Sequence, residues 1–143
     1  MALPNGSGGY QVGSGNQNEF LMGYAPAPAT VAAGDATLTA AQLQAGIILG
    51  SPGATAAAYT LPTVANLEAA IPSANVGSTF DFSIISVDGS SSGVITVTTN
   101  TGWSIGSSGS QGLMTIAATA GTAGRFRARK TGNGAWSLYR IAS

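Results

Sequence analysis

The sequence predicts an all-β fold, a compact β-rich domain with one or two short helical segments (residues 34–143), preceded by an extended N-terminal arm (residues 1–33). Three observations carry that expectation. Apolar and polar residues alternate from Gly77 onward, the period of strands with one buried face. Runs of Gly, Ser and Asn separate the alternating segments, and Thr131-Gly132-Asn133-Gly134 is the strongest turn among them. Only 7% of the residues are charged, so solubility rests on Ser, Thr, Asn and Gly, and such a surface resists association poorly.

The arm mixes Gly, Ser, Asn, Gln, Ala and Pro and ends near Ala25-Pro26-Ala27-Pro28, a composition that cannot bury enough apolar surface to fold alone. Tyr10, Phe20, Leu21, Met22 and Tyr24 punctuate it as apolar anchors for a partner surface. Their other use is to dock on the chain's own domain, because extended segments bind in cis as readily as in trans.

Past Asp35, Thr39 is an N-cap for good helix formers, and Gly46 sits where a helix ends in a left-handed residue. A second short helix runs from Leu61-Pro62, with Pro62 near the first helical position, to Ile71-Pro72, where Pro72 stops it. Residues 79–87 place Phe80, Phe82 and Ile84 on one face and Asp81 and Ser83 on the other. The Asp88-Gly89 turn then returns the chain as residues 94–99, a first hairpin. Residues 103–105 and 113–117 form a second across a Gly/Ser tract, and residues 125–130 and 135–141 form the C-terminal hairpin.

The zero net charge hides a segregated chain: all five acids precede residue 89 and all five bases follow residue 124. Alternation projects Arg125, Arg127 and Arg129 from one strand face, with Phe126 and Ala128 turned to the other. Three like charges on one face need solvent or carboxylates. Carboxylates of a neighbouring subunit suit a contact repeated around a symmetry axis, so these arginines are the expected subunit interface. A nucleic-acid partner is not expected, since the electrostatic footprint is weak and no binding motif surrounds it.

The chain contains neither His nor Cys, which removes the commonest general base, metal ligand and thiol nucleophile together. Glu19, Asp35, Glu68, Asp81 and Asp88 form no local acid pair or metal motif, so no enzyme activity, cofactor or metal is expected. Lys130-Thr131-Gly132 lacks a Ser-x-x-Lys companion, and the glycine-rich stretches of the arm lack a phosphate-loop context. The start has neither a basic nor an apolar leader region, and Ile47-Ile48-Leu49 is too short to span a bilayer, so cytoplasmic synthesis and no membrane partner are expected. Trp103, Trp136 and Tyr139 are aromatics that would stack on a sugar if exposed, although strand parity assigns Trp136 with Leu138, or Tyr139 with Ile141, to the core.

The series Leu38-Thr39-Ala40-Ala41-Gln42-Leu43, Gly46-Ile47-Ile48, Tyr59-Thr60-Leu61-Pro62, Gly77-Ser78-Thr79-Phe80, Arg125-Phe126-Arg127-Ala128-Arg129-Lys130 and Trp136-Ser137-Leu138-Tyr139 resembles small structural proteins of tailed bacteriophages. In particular it is similar to capsid decoration, or cement, proteins and to the knob domains of virion fibres. The resemblance covers about residues 35–143 and leaves the arm out. It implies a compact β-sandwich or jelly-roll-like barrel, a homotrimer on the outer capsid surface of a virion, with the major capsid protein as partner. The knob alternative implies a receptor or a host-surface glycan instead.

Overall fold

The computed structural model describes residues 24–88, 92–106 and 110–143. They form a β-rich fold of two sheets with two short helices. The strands are β1 (Ala29–Val31), β2 (Ala36–Thr37), β3 (Ile47–Gly50), β4 (Ala57–Thr60), β5 (Thr79–Ser86), β6 (Ile95–Thr98), β7 (Trp103–Ser104), β8 (Thr115–Ile116), β9 (Ala123–Gly132) and β10 (Ala135–Ala142). Helix α1 (Ala40–Gln44) follows β2, and α2 (Val64–Ala70) follows β4. Among the described residues no helix is long and apolar enough to cross a membrane.

The chain crosses from one sheet to the other at almost every step. The larger sheet has the order β1-β3-β5-β9-β10-β7, and the smaller β2-β4-β6-β8. The first six strands therefore wind through three turns whose neighbours pair in parallel: β1 with β3, β3 with β5, β2 with β4 and β4 with β6. Parallel neighbours need a long crossover, and here the opposite sheet serves as that crossover. Antiparallel pairing enters only with β8 on β6 and with β9, which pairs with both β5 and β10.

This topology corrects two of the expected hairpins. Strands β5 and β6 lie in different sheets, and so do β7 and β8. Alternation says which side chains of a strand are buried but not which strand lies beside it, and both Gly/Ser links are long enough to change layers. The C-terminal hairpin is as expected, with Leu138 opposite Ala128 and Tyr139 opposite Arg127. It closes the larger sheet by filling the gap between β5 and β7.

The inner face of each sheet buries alternate residues: Ile48 on β3, Tyr59 on β4, Phe82 and Ile84 on β5, Ile95 and Val97 on β6, Phe126 and Ala128 on β9, and Trp136 and Leu138 on β10. Together with Leu43, Val64 and Leu67 from the helices they make one core. Phe82 stacks on its cross-strand partner Phe126 at 5.4 Å, and Phe80 and Trp103 flank Trp136 at 5.7 and 6.1 Å. Such pairs add about 0.5–1.5 kcal/mol each beyond the area they bury.

Helix α1 has the expected ends. Thr39 accepts from Gln42 N, the Gln42 side chain accepts from Thr39 N, and Gly46 continues past the C-cap at φ 79°. In α2 the N-cap is Thr63, which places Pro62 one residue before the cap instead of inside the first turn. Ile71 is the C-cap, and Pro72 follows it.

Residues 29–31, at the end of the segment read as arm, are already strand β1, with Val31 buried. Composition locates the arm, but pairing with β3 decides where it ends.

Candidate functional site

Strand β9 presents Arg125, Arg127 and Arg129 outward while Phe126 and Ala128 enter the core, as alternation requires. The register sets Asp81 of β5 directly opposite Arg127. Arg127 grips that carboxylate with two hydrogen bonds, Nε to Oδ1 at 2.7 Å and Nη2 to Oδ2 at 2.9 Å, and Arg125 adds Nη2 to Oδ2 at 2.9 Å. The carboxylate partner expected from a neighbouring subunit is thus supplied to two of the three arginines by the same chain. Arg129 is exposed and makes no ion pair among the described residues. Beside this cluster, Ile47, Leu49, Ile85 and Val87 leave apolar surface on the outer face.

The remaining bases serve the inner side. Lys130 reaches Glu68 of α2 at 2.8 Å and donates to the Ala74 carbonyl. The same Glu68 oxygen accepts from Trp136 Nε1 at 3.1 Å and Gly134 N at 3.3 Å, which pins α2 against the C-terminal hairpin. Arg140 donates to the carbonyls of Leu113 and Thr115 and lies 5.8 Å from the Phe126 ring centre. Sequence reasoning did not foresee these ties, although Glu68 in a helix without a nearby cation was the available signal. At the opposite side of the fold, Asp35 accepts from Ala58 N and Asp88 from Gly53 N, so each carboxylate stitches one turn of the winding to its neighbour.

Arg127, its strongest hydrogen-bond partner, and Arg125 hold the Asp81 carboxyl below its ordinary range. The bond from Lys130, helped by Trp136, does the same for Glu68. Both groups titrate lower folded than unfolded, so they contribute stability above their unfolded pKa values and lose it as pH falls through the depressed folded ones. The expected result is a fall in unfolding free energy beginning below about pH 4.5 and continuing into more acid solution, since unperturbed Asp and Glu titrate at about 3.9 and 4.3. Urea titrations over that range should show a flatter fall for Asp81→Asn and for Glu68→Gln than for the parent chain. A parental slope in both variants would mean that neither pair distinguishes the folded state.

Of the arm anchors, Tyr10, Phe20, Leu21 and Met22 lie outside the described residues. Tyr24, the first described residue, is 95% exposed beside α1, in a shallow hollow with Gln42, Gln44 and Ala45. Of the aromatics weighed for sugar stacking, Trp136 is only 1% exposed and belongs to the core. Trp103 is half-buried with its Nε1 donating to the Pro62 carbonyl at 2.7 Å. The Glu68 and Pro62 acceptors turn the indole nitrogens inward, and Trp103 packs against the core. Among the described residues no group of three or more acidic, His or Cys side chains could hold a metal ion.

A groove of about 330 Å³ lies between the end of α1, the end of α2 and the start of β5. Leu43, Ile71, Ala74, Phe80 and Trp136 line it apolarly, and Asp81 stands among its polar lining residues. No family model, curated protein or solved structure matches this chain.

Proposed function

We propose that this chain is a structural virion protein, a decoration or cement protein that binds the outer surface of a phage capsid as a trimer and stabilises the shell. The observation that carries the reading is where the arm joins the fold. Residues 1–28 lead straight into β1, which lies at the edge of a six-stranded sheet and runs parallel to β3. A pull on the arm is then resisted by the β1–β3 hydrogen bonds in shear, with Val31 and Ile48 buried behind them. An arm rooted in that way suits a staple between the major capsid protein and a rigid domain.

In this reading the two sheets are the layers of a β-sandwich. A jelly roll has less support, because it is built from antiparallel strands and the first six here pair in parallel. Trimer contacts are assigned to the outer face of the larger sheet, where Ile47, Leu49 and Ile85 adjoin the Asp81 cluster and Arg129 stands exposed. A fibre knob that binds glycans has less support, since both indole nitrogens are turned inward.

Deletion of residues 2–23 tests the staple while leaving β1 in place. Binding to capsids stripped of this protein, measured by co-sedimentation, is expected to weaken at least about tenfold, the effect of losing 1.4 kcal/mol of anchor burial. Undiminished binding would remove the arm from the mechanism.

A further inference from the structure

The apolar groove and the start of the described chain lie against the same helix. Gln44 of α1 lines both the hollow that holds Tyr24 and the groove floored by Leu43, Ile71, Phe80 and Trp136. The chain therefore arrives at α1 within one side chain of the groove mouth. Immediately before it come Phe20, Leu21 and Met22, three large apolar residues in succession, two to four positions from Tyr24. Four residues of extended chain reach about 14 Å.

We infer that this groove is the docking site of the chain's own Phe20-Leu21-Met22 segment, which it holds in cis while no partner is bound. Three features select that occupant. Leu43, Ile71, Ala74, Phe80 and Trp136 give the groove an apolar side, and the segment is apolar throughout. The tether is short, and a short tether gives an effective concentration in the mM range, so even a weak site stays largely filled. Tyr10 and the glycine-rich stretch before it lie ten or more residues farther from α1 and have no comparable advantage. The latch does not depend on the partner being a capsid. Where a capsid is the partner, the anchors leave the groove to engage it, and the segment's two sites compete.

Limited chymotrypsin digestion of the full chain tests the latch, with the rate of cleavage after Phe20 as the readout. Cleavage follows the population of the open form, so a segment docked nine-tenths of the time is cut about tenfold more slowly than a free one. Ala74→Trp fills the groove and is expected to speed the Phe20 cut by about that factor while leaving the cut after Tyr10 unchanged. Ser73→Trp, at the exposed rim, blocks the same groove without entering the core and should act alike. Parental Phe20 cleavage rates in the folded blocked variants would overturn the proposal. So would protection that fades when the parent chain is diluted, because that would place the segment in a second copy.

Discussion

Replacing Trp136 with alanine is expected to lower the unfolding free energy by about 3–5 kcal/mol, the range for removing a large buried aromatic. The indole is enclosed by Phe80 and Trp103, and its Nε1 donates to Glu68. Alanine removes both aromatic contacts and opens a cavity between α2 and the C-terminal hairpin, where neighbours held by Lys130–Glu68 collapse only partly. Trp136→Phe separates the two contributions. It keeps a ring in the aromatic row and loses the indole donor, while Glu68 retains Lys130 and Gly134 as partners. A cost of roughly 1.5–3 kcal/mol is expected for it, as for a single hydrogen bond to a charged acceptor. Urea denaturation of both variants measures the difference, and a Trp136→Ala cost below about 1 kcal/mol would mean the indole is not packed as described.

The second large effect is expected at Gly102, from an independent cause. Its φ is 89°, and a Cβ there would stand 2.6 Å from Val64 Cβ and 2.8 Å from the Gly134 carbonyl oxygen. Gly102→Ala therefore adds left-handed strain of about 1–2 kcal/mol to overpacking of about 1–3 kcal/mol. The clash cannot be relieved by rotating one side chain, because one obstacle is backbone and the other is the β-branch of Val64 at the start of α2. Gly134→Ala supplies the comparison: φ is 67°, and nothing lies within 4 Å of its added Cβ. It should show the strain alone, about 1–2 kcal/mol. Equal losses at the two positions would remove the steric part of the argument.

These two positions differ in how far the sequence announces them. The parity of Trp136 with Leu138 marks one face of β10 as a core candidate, so the burial of Trp136 was legible in part. Nothing around Gly102 distinguishes it from the many other glycines, because the obstacle is Val64, 38 positions away in the chain. The arginine face shows the same division. Alternation alone points Arg125, Arg127 and Arg129 outward. Only the register of β5 against β9 reveals that Asp81 neutralises part of that face from within the same chain.

What the sequence by itself determined is therefore local: strand periodicity, the capped helix after Thr39, the C-terminal hairpin, and the shortage of charge. These depend on residues a few positions apart, whose backbone preferences and alternation act wherever the segment ends up. Only the tertiary structure decided which strands are neighbours, that the early strands wind in parallel between two sheets, where the arm ends, and that Glu68 and Asp81 meet their cations on distant strands. Those pairings are chosen by the core as a whole, because burying one face of each sheet against the other selects a register that no single segment encodes.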